Sequence, residues 1–421
     1  MDVSYIILAV PVFFALIGIE LLAARLQRSD YYRFSDSMSD LSCGMVQQVI
    51  GVFLKTVIFG AYVFVYGRLR MATLPERSVL VWCACFLGID FLYYWFHRTS
   101  HRVNAVWATH VVHHQSEDFN LAVALRQAAF QEAFSWLYYL PLAVLGFPPL
   151  VFLAAVTANT LYQFWIHTRA IGKLGPLEWV LNTPSHHRVH HGRNPKYIDR
   201  NYAGALIVWD RMFGTFQEEE DEPVYGITTP LASWSPVWAN VHYWVELFGL
   251  ARATRGAGDR FRLFLAPPGW RPAELGGFQP APEVDPAYRK FDIAVPPGLK
   301  AYVFVQFLGA LAFGGVFVFR EKDWPLIGRV AAAAAIVVTL AVLSALLERR
   351  RWAALVEGVR LLAAGVVAAG AAVAEGVPAL AAAALLAGAG FGLWLFRVAS
   401  TGLTLEDAAP SLPGPSAGGS P

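Results

Sequence analysis

Charged residues are scarce in this chain of 421 residues. Asp, Glu, Lys and Arg together make up 15% of the sequence, whereas hydrophobic residues make up 56%. Soluble globular proteins carry roughly a quarter charged residues, so the composition excludes an ordinary soluble domain. The formal net charge is only +2, and no basic patch interleaved with aromatic residues stands out, which excludes nucleic acid as an expected partner.

Cysteine is also scarce, with three residues in the whole chain. Cys43, Cys83 and Cys85 lie in or beside apolar segments. They offer neither a disulfide framework nor a CxxC zinc pair, so we interpret them as small buried residues. No signal-peptide cleavage site follows the first apolar run, which is therefore expected to stay in place as a membrane anchor.

Long apolar runs dominate the sequence instead. Several reach the roughly 20 residues that a helix needs to cross a bilayer, so the sequence predicts an all-α, multi-pass transmembrane protein. Gln47, Gln48 and Lys55 interrupt the second run, which is expected to be bent or to form a re-entrant pair. The candidate spans are 5–26, 41–66, 78–96, a hairpin of 134–147 and 149–166 broken at Pro148-Pro149, and then 301–319, 325–347, 353–374 and 378–396.

The polar segments between these runs suggest the domain organisation. Residues 98–133 are too polar to cross and predict an interfacial or cavity-lining helix, and the acidic run from Glu218 to Glu222 predicts a solvated surface. The expected parts are N-terminal transmembrane helices (1–96), a histidine-rich catalytic region with the hairpin (97–216), an extramembrane cytoplasmic segment (217–298), C-terminal transmembrane helices (299–400) and a disordered tail (401–421).

Basic residues predict the orientation in the membrane. Cytoplasmic loops are enriched in Lys and Arg, which places 168–216 and the loop containing Arg349, Arg350 and Arg351 in the cytoplasm. Counting one crossing per span from 134 onward puts His97 on the same face. The loop after residue 67, which contains Arg68, Arg70 and Arg77, is then placed on the non-cytoplasmic side, contrary to the enrichment of Lys and Arg in cytoplasmic loops. We expect a bacterial inner membrane, or the endoplasmic reticulum in a eukaryote.

Ten of the eleven histidines lie between positions 97 and 191. They form an HxxxH cluster, an HxxHH cluster and an HHxxHH cluster, with one isolated member. Positions i, i+3 and i+4 share a helix face, so each cluster aims two or three imidazoles in one direction. The members are His97 and His101, then His110, His113 and His114, then His167 alone, and finally His186, His187, His190 and His191.

Imidazole is the commonest protein ligand for zinc, copper and iron. Even without His167 and His186, eight imidazoles exceed what one tetrahedral zinc can use, so the clusters predict a histidine-rich di-metal centre at the cytoplasmic face. A lone histidine is more often a satisfied core residue, and a tag-like histidine tract lacks such spacing. A metal transporter would hold its site near the bilayer midplane, whereas these clusters lie at span ends and in loops.

The ligand type narrows the chemistry. An all-imidazole shell favours iron, copper or zinc over magnesium, and it differs from soluble di-iron proteins, which supply four carboxylates and two histidines. Chemistry on O2 requires iron or copper, and the simplest substrate at a membrane surface is a lipid. The residues therefore predict an oxygen-activating di-iron enzyme that attacks an unactivated C–H bond.

The cluster pattern resembles the fatty acid hydroxylase/sterol desaturase superfamily: HxxxH, eight residues, HxxHH, and a later HxxHH. More narrowly, the alkylglycerol monooxygenase family is similar in the segments 113–127, 162–168, 174–194 and 199–216. The resemblance implies an ether-lipid substrate, O2, two iron ions and tetrahydrobiopterin. In that family the ether carbon of the alkyl chain is hydroxylated, and the resulting hemiacetal collapses to a fatty aldehyde and a glycerol derivative.

The resemblance also implies site residues. The implied iron ligands are His97, His101, His110, His113, His114, His167, His187, His190 and His191, with His186 a weaker candidate. Glu117 and Asn120 match the motif after the second cluster and are expected to act beside the ligands, unless they are a polar group at a helix N-terminus. Asp90 is expected to orient a histidine N–H. His242 is interpreted as structural.

The electron donor remains open at this level. Arg169 stands where the animal members of the family are expected to carry an acidic residue, so donor choice could differ here. No fused haem-cytochrome module is recognisable, and the electrons are expected from a pterin or from a separate protein. The alternative within the superfamily is a sterol or fatty-acyl desaturase or hydroxylase fed by a cytochrome or ferredoxin.

Overall fold

A computed structural model describes residues 5–400 and shows an all-helical protein, with no β-strand in that range beyond two isolated bridges. The helices are α1 (Tyr5–Gln27), α2 (Phe34–Leu69), α3 (Val79–Arg102), α4 (Asn104–Trp107), α5 (Val111–His114), α6 (Glu132–Leu145), α7 (Pro149–Trp165), α8 (Pro184–His190), α9 (Val208–Phe213), α10 (Pro236–Ala253), α11 (Ala257–Leu265), α12 (Pro297–Arg320), α13 (Leu326–Leu347), α14 (Ala353–Ala374) and α15 (Pro378–Ser400).

Seven helices in the described residues are long and apolar enough to cross a membrane. They are α1, α2, α3, α12, α13, α14 and α15, and each corresponds to a span expected from the sequence. The multi-pass, all-α prediction is confirmed. The tail expected at 401–421 lies outside the described residues.

The second span is one continuous helix of 36 residues, so the predicted bend or re-entrant pair is wrong. Its interrupting polar side chains satisfy one another across the helix surface. Lys55 donates to Gln48 (3.0 Å), Gln48 donates to Gln47 (2.9 Å), and Gln47 donates to Glu132 on α6 (2.8 Å). Because these groups find partners without freeing backbone bonds, the helix does not break.

The predicted hairpin is present as α6 and α7. With 14 and 17 residues, the two helices are about 21 and 26 Å long, each shorter than the roughly 30 Å hydrocarbon core. Gly146 ends α6 with φ 97°, a conformation that favours glycine. Met71 N donates to Val144 O (2.7 Å), which holds the tip against the loop between α2 and α3. The hairpin therefore extends from the histidine region to the opposite end of α3.

Residues 98–133 differ from the expected interfacial helix. The end of α3 is followed by two single-turn helices, α4 and α5, and by irregular backbone that is almost wholly buried. Buried irregular backbone needs other hydrogen-bond partners, and side chains supply them. The Arg126 guanidinium, for example, donates to Val112 O (2.6 Å). This folded segment brings His110 and His114 to the same group as His97 and His101 on α3, while His113 joins the other group.

The described chain divides into two compact units. Of the described residues, one unit contains 5–292 and 310–341, and the other contains 293–309 and 342–400. Every histidine of the three clusters belongs to the first unit. Within the second unit, buried Glu357 accepts hydrogen bonds from Tyr302 (2.5 Å) and Arg360 (2.6 Å), which satisfies a charge on a membrane-length helix.

Candidate metal centre

Nine buried histidines come together as two groups, and each group could hold one metal ion. Within each group the candidate ligand atoms all lie within 4.8 Å of one another. The first group is His97, His101, His110, His114 and His190, and the second is His113, His167, His187 and His191. All nine predicted ligands are brought together, including the isolated His167.

The two later clusters are each divided between the groups. The last turns of α3 supply two first-group ligands, His97 and His101, four residues apart on one face. His113 and His114 on α5 point to different groups, as do His190 and His191 at the end of α8, because adjacent helical residues project about 100° apart. This division places the two groups side by side, as a dinuclear centre requires.

Hydrogen bonds to carbonyl oxygens fix the tautomer of several ligands. A carbonyl only accepts, so the Nδ1 atom bonded to it carries the proton and Nε2 is left with its lone pair. The donors are His97 to Tyr202 O (2.7 Å), His113 to Arg126 O (2.9 Å), His167 to Gln163 O (2.7 Å), His190 to Arg200 O (2.9 Å) and His110 to Gln131 Oε1 (2.8 Å). Each of these five lone pairs therefore faces the interior of its group.

The distances between facing nitrogens fit a shared cation. His97 Nε2 lies 3.0 Å from His110 Nε2, and His167 Nε2 lies 3.1 Å from His113 Nε2. Two unprotonated nitrogens repel at this distance. Metal–nitrogen bonds of about 2.1 Å at right angles put neighbouring ligand atoms about 3.0 Å apart. In the described chain, His101 Nε2 and His190 Nε2 are also buried without a hydrogen-bond partner, so the donor set fits two metal ions.

Burial keeps these imidazoles in the form that binds metal. It lowers the pKa of His110 and His167 to about 4 and that of His190 to about 3. Burial, reinforced by neighbouring histidines, also holds the pKa of His113 and His187 well below its usual range. A neutral imidazole offers its lone pair, so the centre is ready for a cation at neutral pH.

The remaining two histidines stay outside the groups. The His186 ring lies edge-on to Phe216, with ring centroids 5.4 Å apart, so the structure does not bring this weaker candidate to the centre. His242 Nδ1 lies 3.2 Å from Ala239 O on its own helix and 3.3 Å from Gln115 Nε2, so this histidine also stays outside the centre.

Asp90 does not contact a histidine among the described residues, so the predicted bond between Asp90 and a histidine N–H is wrong. Its carboxylate accepts from Ala205 N (2.7 Å), Leu206 N (3.0 Å), the Trp209 indole (2.8 Å) and Asn159 (2.6 Å). The segment it holds begins just after Tyr202, whose carbonyl accepts from His97. Asp90 therefore reaches the centre through the backbone of that loop.

A second carboxylate, Asp210, holds the same loop and was missed by the sequence reasoning. It accepts from Tyr202 N and Ala203 N, both at 2.8 Å, and from Thr215 Oγ1 at 2.7 Å. The carbonyl oxygens of Arg200 and Tyr202 in this loop accept hydrogen bonds from His190 Nδ1 and His97 Nδ1. Asp210 is fully buried between half-buried Trp209 and exposed Arg211, and an acidic residue within this aromatic segment was the available signal.

Glu117 and Asn120 are buried beside the centre and bind neighbouring segments rather than histidines. Glu117 accepts from the Tyr288 hydroxyl and from Phe291 N (2.6 Å). Asn120 donates to Tyr31 O (2.7 Å) and accepts from Ala122 N (2.9 Å). Each therefore fixes the loop after His114 to another part of the first unit.

Two buried arginines, also missed, brace the ligand clusters. Arg126 pairs with Asp40 (3.0 Å), donates to Gln115 (2.8 Å), and offers its own carbonyl to His113. Arg188, between two ligands on α8, makes a two-point ion pair with Glu219 (2.6 and 2.7 Å) and donates to Thr168 O (3.0 Å). Arginine suits both positions because its planar group donates several bonds at once.

The acidic run 218–222 is not merely a solvated surface. Each of its five members pairs with a basic residue from the loop that carries the last histidine cluster. The pairs are Lys173–Glu218, Arg188–Glu219, Lys196 with both Glu220 and Asp221, and Arg169–Glu222. The run therefore lies along the basic loop and holds it in place. Arg169 also pairs with Asp30 (3.4 Å) and covers the Tyr31 ring (4.8 Å).

Aromatic side chains form the walls of the centre. The Trp107 ring centroid lies 4.9 Å from that of His101, the Tyr202 centroid 5.4 Å from the same ring, and the Phe119 centroid 5.1 Å from that of His191. Tyr202 and Phe119 are fully buried. These walls surround the lone pairs with apolar surface and exclude water from the imidazoles.

Comparison with known proteins identifies relatives across most of the chain. A family model described as fatty acid hydroxylase matches residues 82–215. The chain is 40% identical to the alkylglycerol monooxygenase of Xenopus tropicalis over 365 residues, which is 85% of this chain and 81% of that relative. The human alkylglycerol monooxygenase is 40% identical over 362 residues, with the same coverage. Ornithine lipid hydroxylase OlsE of Rhizobium tropici is 30% identical over 135 residues, 30% of this chain and 39% of that protein. No solved structure matches.

Proposed function

From the premise that this chain belongs to the alkylglycerol monooxygenase family, we propose that it cleaves O-alkylglycerol ether lipids to a fatty aldehyde and a glycerol derivative. The chain is an oxygen-dependent, lipid-hydroxylating monooxygenase with membrane-length helices. The observation that carries the proposal is the pair of buried imidazole groups at the end of a membrane-length helix, where a lipid can approach.

The proposed reaction is a hydroxylation followed by collapse of a hemiacetal. Hydroxylation breaks a C–H bond of the carbon next to the ether oxygen and forms a C–OH bond with one atom of O2. The other oxygen atom leaves as water, which requires two electrons and two protons from a donor. The hemiacetal product then breaks its C–O bond to the glycerol, and the proton of the new hydroxyl passes to the glycerol oxygen. No further oxidant is needed.

We propose iron as the metal, held by the nine grouped histidines. Iron bound there would supply the activation of O2, which an all-imidazole zinc site could not. The chain's own residues keep the ligands neutral and oriented. The Arg126, Tyr202 and Arg200 carbonyls hold the Nδ1 protons of three ligands. The side chains of Trp107, Tyr202 and Phe119 exclude water, so that activated oxygen would react with the lipid rather than with solvent.

We propose a reduced pterin as the electron donor, by analogy with the family resemblance. Arg169, which stands where we expect the animal members of the family to carry an acidic residue, pairs with Asp30 and Glu222. A cytochrome or ferredoxin is the alternative donor, and the assay below separates the two. The basic loops support the proposal that the centre faces the cytoplasm, in a bacterial inner membrane.

A turnover assay on the purified, iron-loaded, full-length protein in detergent tests the proposal. The protein would receive an alkylglycerol with a fluorescent tail, O2 and tetrahydrobiopterin, and aldehyde release would be measured. We expect release that depends on the pterin and is lost in His113→Ala, which removes one second-group ligand.

Parallel reactions with a fatty-acyl substrate and a sterol provide the comparison. Turnover of either one, without aldehyde release from the alkylglycerol, would overturn the ether-lipid assignment. Activity only with a reduced ferredoxin or cytochrome would overturn the pterin assignment and leave the monooxygenase chemistry in place.

A further inference from the structure

The segment expected to be wholly extramembrane contains a helix whose outer face is apolar. On α10 the exposed residues at helical spacing are Val237, Val241, Val245 and Phe248, joined by Trp238. Val245 is 56% exposed and Phe248 50%. A helix on a water-facing surface normally shows polar residues outward. Here the inward face is also apolar, with Ala239 and Leu247 buried.

The neighbouring helix α11 continues this surface. Phe261 and Leu265, four residues apart, are 68% and 54% exposed, while Leu263 is buried. Exposed arginines border the apolar residues at Arg252, Arg255, Arg260 and Arg262. An exposed apolar stripe with basic residues alongside is the composition of a helix that lies in a membrane interface. The long arginine side chains can keep their charges at the headgroups while the stripe is buried.

The position of α10 in the fold brings this face to the membrane. Asn240 accepts a hydrogen bond from Ala129 N (2.9 Å), and α6 of the membrane hairpin begins three residues later. Between them, Phe130 is exposed. Ala239 packs with Cys43 of the membrane-length helix α2. Yet α10 is not among the helices apolar enough to cross, within the described residues. A helix beside the membrane that is too polar to cross it fits the interface.

We propose that the exposed face of α10 and α11, here called the interfacial platform, lies in the headgroup region of the bilayer that the chain spans. The occupant is a lipid leaflet carrying anionic headgroups, because the bordering arginines complement negative charge. The proposal goes beyond the reaction, and it does not depend on which lipid is the substrate.

The two helices of the interfacial platform, α10 and α11, bind the segment between the first and second histidine clusters through hydrogen bonds. Asn104, three residues after His101, donates to Leu263 O (2.8 Å) on α11 and accepts from Tyr243 (2.6 Å) on α10. Gln115, directly after His114, donates to Ala239 O (3.0 Å). Docking of the platform therefore sets the depth of the metal centre relative to the leaflet, since both ends of the ligand segment are tied to it.

Spin-label depth measurements on the full chain in lipid nanodiscs test the platform directly. Cys83 is the exposed cysteine and would be replaced in Cys83→Ser, while Cys43 and Cys85 are buried. Nitroxides would be placed at Val245→Cys and Phe248→Cys. The matched controls are Leu137→Cys, exposed on the hairpin helix α6, and Glu283→Cys, exposed in the polar segment. Collision rates with O2 and with a water-soluble nickel chelate give the depth.

We expect the two platform labels to favour O2 over the nickel chelate, as the hairpin control does. Labels that collide with nickel as freely as the Glu283→Cys control would overturn the proposal. Labels shielded from both agents, with dipolar broadening between chains, would identify a second copy as the occupant and would also overturn it.

A functional variant gives a second measurement. The double substitution Val245→Asp and Phe248→Asp changes only exposed side chains. We expect it to raise the concentration of vesicle-embedded lipid needed for half-maximal turnover by about tenfold, through lost burial of two apolar side chains. Its iron content should not change. An unchanged concentration dependence would contradict docking through this face, whereas failure of the wild type to turn over would concern the substrate assignment alone.

Discussion

The histidines work as ligands because each is buried and oriented by a fixed acceptor. Carbonyl oxygens hold the Nδ1 protons of His97, His113 and His190, and burial lowers the pKa of the ligands outside the membrane-length helices. A surface histidine of the same spacing would be mobile and partly protonated. The acceptors on irregular backbone, such as Tyr202 O and Arg200 O, matter as much as the spacing.

The number of metal ions bound per chain should depend on the ligands of both histidine groups. We expect two ions per chain in the wild type, and a lower content in His114→Ala, from the first group, and in His187→Ala, from the second. His242→Ala is the control, because the His242 ring lies outside both groups and its Nδ1 contacts Ala239 O and the Gln115 side chain. Elemental analysis of protein purified in detergent measures the content. Full metal in both ligand variants would contradict the grouping.

Removal of Arg126 should destabilise the protein strongly. Its side chain is 2% exposed and pairs with Asp40, which is fully buried. Arg126→Met leaves that carboxylate without its cation, and breaking such a pair costs about 3–5 kcal/mol of unfolding free energy. The exposed pair Lys173–Glu218 is the comparison. Lys173→Met should cost about 1 kcal/mol or less. Denaturation in detergent measures both, and equal losses would contradict a buried bracing role.

Asp210 should give stability a dependence on pH. Burial raises the pKa of Asp210 to about 6, from about 3.9 in an unfolded chain. The folded protein then binds more protons between these values, so its stability falls as pH rises from about 4 to about 6. The Asp210→Asn variant should lack about 3 kcal/mol of this pH-dependent decrease in the free energy of unfolding. Its free energy of unfolding should also be lower at every pH, because one backbone N–H loses its acceptor. An unchanged pH slope in the variant would show that Asp210 does not titrate there.

At the scale of elements, α2 packs directly against the segment that orients His113. A Cβ atom on Gly44 would lie 2.2 Å from Leu125 O, next to the Arg126 carbonyl. Gly44→Ala should therefore push the two apart, cost about 1–3 kcal/mol as overpacking does, and lower the metal content. Gly60→Ala on the same helix, with nothing within 4 Å, is the matched control. Equal melting temperatures and metal contents for the two variants would contradict the contact.

The elements differ in how well the sequence predicts them. Membrane-length helices follow from apolar runs, and Pro148 with Gly146 marks the hairpin tip. The unbroken course of α2 does not follow, because it depends on Gln47 meeting Glu132 from another helix. The irregular backbone after α3 is also beyond local reasoning. Some of its hydrogen bonds come from side chains far along the chain, such as Glu20, which accepts from Leu121 N, and Asn240, which accepts from Ala129 N. Helix propensity contains no such information.

At the scale of the whole molecule, the sequence predicts the class and the ligand set better than the supporting groups. All nine grouped histidines follow from spacing and family resemblance. The sequence predicts a histidine partner for Asp90. Its partners in the structure include the backbone N–H groups of residues 205 and 206, which lie over a hundred residues away along the chain and could not be inferred locally. Arg188 and its partner Glu219 are 31 residues apart, and Asp210 accepts from backbone N–H groups of its own loop, which a pattern of side chains does not show. Their importance comes from tertiary contacts around the centre, which a single sequence does not reveal.

We propose that this chain inserts one oxygen atom of O2 at the carbon next to an ether oxygen. The most direct test supplies isotopically labelled O2 to the wild type with an unlabelled alkylglycerol. The aldehyde is reduced at once to the alcohol, before it exchanges oxygen with water, and both products are weighed by mass spectrometry. We expect label in the alcohol and none in the glycerol derivative. An aldehyde without label, with both labelled atoms recovered as water, would contradict it.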